Sequence, residues 1–113
     1  MIFLNRNHEK LWMEETKNVT NHNDLDIPLL ILTGMPILYP RLKPFIHPSY
    51  IEFQEIIDEL RISSGEMYMI ELAANLYNGS MSVNFYSLLG RCDKEMRCLA
   101  QCALDSKFEQ INQ

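Results

Sequence analysis

The chain has 113 residues and a formal net charge of −5, from 15 acidic and 10 basic residues, and 47% of it is hydrophobic. These values predict one domain over residues 1–113 and exclude a disordered tail, a collagen-like repeat and a basic nucleic-acid-binding arm. Seven methionines are many for this length, and flexible methionine suits irregular cores and adaptable binding surfaces.

A first helix is predicted from Asn7 to about Lys17, with Asn5 or Asn7 as its cap. The four apolar residues that open the chain are too few for the apolar region of a signal peptide. No later apolar stretch approaches the roughly 20 residues of a membrane-spanning helix, so we expect no membrane segment. The predicted location is the cytoplasm.

A short apolar helix is predicted next, capped by Asp24 or Asp26, with Pro28 in its first turn and Gly34 at its end. Residues 29–32 are also compatible with a strand, because a short apolar run does not separate the two by periodicity. Their leucine content and the caps favour the helix.

Prolines then recur every four residues, at Pro36, Pro40, Pro44 and Pro48. An interior proline removes a hydrogen bond and clashes with the previous turn, so no regular helix is expected through them. We therefore interpret residues 35–47 as a Pro-rich connector, extended or with a single turn, whose apolar side chains pack on the core. The alternative is a proline-rich ligand for an aromatic groove.

The next helix is predicted from Pro48 to Leu60, with proline in its first position. One face is an apolar stripe of Tyr50, Phe53, Ile57 and Leu60. The acidic residues lie away from that stripe, at Glu52, Glu55, Asp58 and Glu59.

Ser63 and Glu66 have the spacing of a capping box, which predicts a helix over residues 67–78 that ends at Gly79. Its polar stripe is narrow, so we expect it to be the most buried helix.

The final quarter is predicted as a short helical turn over Val83–Leu89, closed by Gly90, and a last helix capped by Asp93. The apolar side of that helix comprises Met96, Ala100, Ala103, Leu104, Phe108 and Ile111. The fold class is therefore all-α: four main helices, one or two short helical turns and the Pro-rich connector.

Motifs for catalysis are lacking in the sequence. The three histidines, His8, His22 and His47, have no ligand spacing, and Cys92, Cys98 and Cys102 contain no CxxC pair. The four glycines are isolated, which excludes a phosphate-cradling loop. We predict a non-enzymatic protein with no catalytic residues, no metal and no cofactor.

The acidic residues suggest a protein partner and no direct contact with nucleic acid. The acidic face formed by Glu52, Glu55, Asp58 and Glu59 could meet a basic groove on another protein. Apolar groups expected to be exposed beside it are Tyr39, Phe45 and Tyr86. An ordinary solvated helix face is the alternative interpretation.

Three stretches of the sequence together carry a resemblance to other proteins. They are Ile2–Asn5 followed by His8, then Leu32–Gly34 with Leu38 and Tyr39 behind it, and Ser63–Glu66 leading to Leu72–Gly79. Their order and spacing resemble a family of small uncharacterised proteins of Firmicutes phages, prophages and mobile elements. The resemblance implies a phage-associated cytoplasmic protein and supplies no catalytic residues.

The first hypothesis is a phage-associated protein that binds and inhibits or modulates a host protein, such as a component of an antiviral defence or nucleic-acid-handling system. The second is a self-associating structural or regulatory phage accessory protein, a homo-oligomer. A third is a thiol- or metal-dependent enzyme that uses Cys92, Cys98 or Cys102.

Overall fold

Residues 1–112 are described by a computed structural model and form seven α-helices and no named strand. In chain order they are α1 (Arg6–Thr16), α2 (His22–Thr33), α3 (Tyr39–Leu42), α4 (Phe53–Glu59), α5 (Ser64–Asn78), α6 (Phe85–Arg91) and α7 (Lys94–Ile111). The all-α prediction is confirmed. The predicted number of four main helices is wrong, because the Pro-rich connector itself contains a helix and α6 is a full helix.

The start of α1 follows directly from a local capping signal. Asn5 has an extended backbone, and its side-chain oxygen accepts a hydrogen bond from the His8 amide at 2.9 Å. That bond satisfies one of the free amides at a helix N-terminus. The predicted Asn5 cap is confirmed.

The start of α2 differs from the prediction. The helix begins at His22, and the Asn21 amide group donates to the Asp24 carboxylate, so neither Asp24 nor Asp26 is the cap. As a result, Pro28 lies inside α2 and not in its first turn. The carbonyl that it leaves unpaired belongs to Asp24, an exposed residue near the helix start.

The central position in the molecule belongs to α2, which contacts α1, α3, α5 and α7. The apolar run at 29–32 lies inside α2, so the predicted helix is confirmed and the strand alternative is wrong. Residues 27–33 are all buried. The prediction that residues 67–78 form the most buried helix is also wrong. A helix that is apolar on all sides requires neighbours on all sides, and α2 meets that requirement better than α5.

The Pro-rich connector folds back on the core through two short helical pieces, α3 and a 3-10 turn over Lys43–Phe45. Pro40 and Pro44 each occupy the first or second position of their piece. A proline there loses no helical hydrogen bond and has a suitable φ. The prolines therefore begin short helices. Of the two forms expected for the connector, the extended one is wrong, and the form with a single turn is closer, since the connector contains two short helical pieces.

The chain reverses direction after the connector in a tight turn closed by a bridge between Ile46 and Ile51. The Thr20 amide donates to the Pro48 carbonyl at 2.8 Å and holds the turn against the α1–α2 loop. For this reason α4 starts at Phe53 and not at Pro48. Tyr50 lies before the helix and is exposed, so it is not part of the apolar stripe.

Both ends of α5 have the predicted caps. The Ser63 side chain accepts from the Glu66 amide, and the Glu66 carboxylate accepts from the Ser63 amide, which completes the capping box. Gly79 has a φ of 72°, the left-handed conformation that ends many helices. Both predictions are confirmed.

The last two helices are also capped by side chains, Asn84 for α6 and Asp93 for α7. Gly90 lies within α6 and does not close it. In α7 the buried residues include Leu99, Ala100, Cys102, Ala103 and Ser106. Phe108 and Ile111, which the sequence places on the core side of α7, are exposed.

A close approach between α2 and α7 occurs at Gly34. A Cβ atom at this position would lie 2.3 Å from Leu99 Cδ1. The φ of Gly34 is −80°, so glycine is required here for space and not for backbone freedom.

Candidate protein-binding surface

The acidic face of α4 is present and is accessible over most of its length. Glu55, Asp58 and Glu59 are exposed. Glu52 differs because it lies just before α4, is half-buried, and accepts from His47 Nε2 at 2.7 Å. Three of the four predicted carboxylates therefore face solvent on one short helix, and the fourth is held by an imidazole.

Cationic residues are few in the part of the chain after Lys43, which lies on the 3-10 turn that contacts α4. Residues 44–90 contain Arg61 as their sole lysine or arginine. The acidic residues in the same range are Glu52, Glu55, Asp58, Glu59, Glu66 and Glu71. Arg41 donates to the Arg61 carbonyl at 2.9 Å, so both cations lie at the C-terminal end of α4 and bound the acidic face there.

A shallow cavity connects α4 with the segment that follows α5. It has a volume of about 270 Å³ and is lined by Glu55 of α4 and by Tyr77 and Met81. Met81 is half-buried and packs against the core. One residue of the acidic face, Glu55, therefore borders a hollow whose other walls include apolar side chains of α4, α5 and the segment after α5.

The outer face of α6 is apolar. Phe85, Tyr86 and Leu89 are exposed, and Tyr86 has 90% of its surface accessible. Residues three and four apart lie on the same side of a helix, so Leu89 is adjacent to both aromatic rings. Leu88 is fully buried and anchors α6 on α5. This group of three side chains is called the α6 face below.

Of the three apolar groups expected to be exposed, Tyr86 alone is accessible. Tyr39 is buried, and its hydroxyl donates a hydrogen bond to the Glu15 carboxylate. Phe45 is half-buried and packs on the core. The expectation of exposure is wrong for both, because the connector folds onto the core and takes these rings with it.

A second apolar hollow was not anticipated from the sequence. Ile37, between α2 and α3, is 94% exposed. It borders a cavity of about 230 Å³ that is also lined by Met35, Leu38 and Met96. The surplus of methionine was the one sequence signal for such a hollow, and it did not give the location.

The histidines and cysteines form no metal site among residues 1–112, where no group of three or more His, Cys, Asp or Glu side chains is arranged to hold an ion. All three cysteines are free, and Cys98 is exposed. Burial, followed by the neighbouring charge of Asp93, raises the pKa of the Cys92 thiol. Burial likewise raises the pKa of Cys102. Both thiols therefore stay protonated at neutral pH, the less nucleophilic form.

Comparisons with other proteins identify no relative: no protein-family model, no curated protein and no solved structure matches the chain. Among the helices in residues 1–112, none has both the length and the apolar character that crossing a membrane requires.

Proposed function

We propose that this chain is a non-enzymatic protein that binds a host protein and inhibits or modulates it by covering part of its surface. The observation that carries the proposal is the α6 face, where two aromatic rings and a leucine are exposed side by side. Tyrosine and other large aromatic groups contribute most of the binding energy at many protein interfaces. Neighbouring exposed apolar residues of this kind are typical of interaction sites.

The charge of the surrounding elements indicates the chemistry of the partner. Both α4 and α6 pack on α5. The cations near the acidic face of α4 are few: Arg41 and Arg61 at its C-terminal end, and Lys43 on the 3-10 turn that contacts the helix. A partner surface with an apolar pocket bordered by lysine and arginine would complement both features. Basic grooves of this kind occur on proteins that bind nucleic acid.

The family resemblance supplies the biological setting of the proposal. A phage-associated protein acts in the cytoplasm of its bacterial host, and the basic partner is then a host protein of a defence or nucleic-acid-handling system. The chain would occupy the partner's basic groove as a mimic of the nucleic acid.

A capture experiment with matched variants tests the proposal. The purified wild-type chain should retain one host protein in stoichiometric amount, and the Tyr86→Ser/Leu89→Ser variant should not. Met13→Ser is the control, because Met13 is a similarly exposed apolar residue on α1. Retention of the same protein by the double variant, or of no stoichiometric protein by the wild type, would contradict the proposal.

Self-association is the second candidate function, and the end of α7 favours it. Phe108 and Ile111 are three residues apart on one side of α7, and both are more than 60% exposed, at 62% and 65%. An exposed pair of this type can form the centre of a symmetric contact between two copies. Light scattering at high protein concentration separates the candidates, since a strict monomer contradicts self-association.

A further inference from the structure

A further cavity lies between the C-terminal end of α1 and the connector with the turn that follows it. Its volume is about 340 Å³, within the range of about 300 to 1,000 Å³ that is common for small-molecule sites. The α6 face contributes no residue to it. Glu15, at the end of α1, lines the cavity and is only 7% exposed.

The carboxylate of Glu15 is incompletely paired. Its one hydrogen-bond partner among the described side chains is the Tyr39 hydroxyl, and no described Lys, Arg or His side chain forms an ion pair with it. A carboxylate has two oxygens and about four acceptor positions, so the phenol occupies only part of its capacity. Buried charges are ordinarily paired with an opposite charge, because their desolvation is costly.

Tyr39 is a fixed donor to this carboxylate. Burial, together with the hydrogen bond and the negative charge of Glu15, raises the pKa of the phenol well above its ordinary value. The phenol therefore remains protonated at neutral pH and keeps one oxygen of Glu15 oriented. The remaining acceptor positions suit a compact ammonium better than a planar guanidinium, which prefers both oxygens of a carboxylate.

The other cavity walls agree with an alkyl chain attached to that ammonium. Val19 and Ile46 provide apolar surface along the cavity. The turn that carries Pro48 is held in place by the hydrogen bond from Thr20. Lys43 and His47 line the same cavity, but Lys43 is exposed and His47 is paired with Glu52, so neither forms an ion pair with Glu15. The positive charge of Lys43 opposes any cationic ligand and opposes a dication more strongly than a monocation.

We infer that this cavity binds the primary ammonium group of a small alkylamine, with Glu15 as the counter-ion and Tyr39 as the group that orients it. The same chemistry is present in a free monoamine and in the lysine side chain of a protein. This inference does not rest on the proposed function, because the cavity contains no residue of the α6 face and takes a different class of ligand.

The test is a nuclear magnetic resonance titration: each ligand is added to isotope-labelled protein, and the amide chemical shifts are recorded. The ionic strength is held constant so that electrostatic screening is the same in every sample. The probes are n-butylammonium, its neutral analogue n-butanol and the diamine putrescine. We expect saturable shifts with n-butylammonium around residues 18–19 and 43–48, weaker binding of putrescine and no saturable binding of n-butanol. Equal binding of n-butanol, or the absence of saturable shifts with n-butylammonium, would overturn the inference.

Matched variants assign the binding to Glu15. Glu15→Gln keeps the shape and an acceptor for Tyr39 but removes the charge, and it should weaken n-butylammonium binding by about tenfold or more. Glu9→Gln makes the same chemical change at an exposed position earlier on α1 and should leave the affinity unchanged. Unchanged affinity in folded Glu15→Gln would refute the assignment.

A second variant is informative if Glu15→Gln does not fold. Asn18 is an exposed residue of the same cavity, and Asn18→Trp places a bulky ring at the mouth without a change in the core. It should block n-butylammonium, and full binding to it would also overturn the inference. A capped lysine peptide in place of n-butylammonium distinguishes the sources: tighter binding of the peptide indicates a protein lysine, and weaker binding indicates a free amine.

Discussion

His8 shows how one buried polar residue connects two helices. It is 4% exposed, its Nδ1 accepts from the Leu4 amide at 3.1 Å, and its Nε2 lies 2.7 Å from the Leu30 carbonyl. An amide can only donate and a carbonyl can only accept, so the ring is neutral with its proton on Nε2. Protonation of Nδ1 would direct two N–H groups at each other.

This arrangement implies a pH-dependent stability. Burial lowers the pKa of His8, against the smaller opposing effect of the Leu30 hydrogen bond. In acid the unfolded chain therefore binds more protons than the folded chain, and the free energy of unfolding decreases as the pH falls below about 6.5. Denaturant unfolding at pH 7.5 and pH 5 should show this loss in the wild type and a smaller loss in His8→Gln.

The exposed His22 supplies the control for this measurement. His22→Gln removes a histidine that lies on the surface beside Asp26, so it should keep the loss that His8 causes. An equal decrease in wild type and His8→Gln would show that His8 does not couple folding to protonation.

Gly34 is the second residue whose identity is set by a tertiary contact. Because a Cβ atom would meet the buried Leu99 side chain at 2.3 Å, Gly34→Ala should lower the free energy of unfolding by about 1 to 3 kcal/mol. Leu99→Ala alone should cost about 2 to 5 kcal/mol. The double variant should cost less than the sum of the two single variants, since the shortened residue 99 leaves room for the new methyl group. Strict additivity in denaturant unfolding would contradict this packing.

Several helices in this molecule begin where a local side-chain cap places them. Asn5, Ser63 and Asp93 are caps whose partners lie three residues away, and all three were predictable from the sequence. The start of α4 was not predictable, because the turn before it is held by the hydrogen bond between Thr20 and Pro48, residues that are distant in sequence. Sequence patterns report on residues that are close along the chain, and Thr20 and Pro48 are not.

Alanine substitutions at two glycines, one at the end of α5 and one within α6, should change the stability of the protein in opposite directions. Gly79 has a left-handed backbone conformation, which residues with a Cβ atom adopt at an energetic cost. Gly79→Ala should therefore destabilise the protein by about 1 kcal/mol. Gly90 is an exposed residue within α6 with open space at its Cβ position, and Gly90→Ala should stabilise by about 0.5 to 1 kcal/mol. Thermal unfolding of both variants checks the pair. Midpoints that move in the same direction would show that one of the two helix boundaries is placed wrongly.

At the scale of the whole molecule, the candidate surfaces were only partly predictable. The exposed carboxylates of α4 and the exposure of Tyr86 follow from local pattern. The burial of Tyr39 does not, since its partner Glu15 lies on another helix and is brought close by the folded connector. The hollow beside Ile37 also depends on how distant helices meet.

The charge distribution leads to a kinetic prediction for the proposed complex. If the acidic face of α4 steers a basic partner, Glu55→Gln/Asp58→Asn should slow association and reduce its dependence on salt, with a smaller effect on dissociation. Stopped-flow or surface-based kinetics at two salt concentrations measures this. Glu9→Gln/Glu14→Gln on α1 is the matched control, because both residues are exposed acids on a different helix. An equal effect of the two double variants would indicate general charge and not this face.

The proposed function requires that the α6 face contact the protein partner. Its most direct test is calorimetric titration of the captured host protein, once purified, with the wild type, Tyr86→Ala and Met13→Ala, each checked for unchanged thermal unfolding. Tyr86 touches little of its own protein, so its loss should leave stability intact and weaken binding by about 2 kcal/mol, or roughly 30-fold. Met13→Ala should bind as the wild type does. A Tyr86→Ala chain that binds with wild-type affinity would contradict the proposed function.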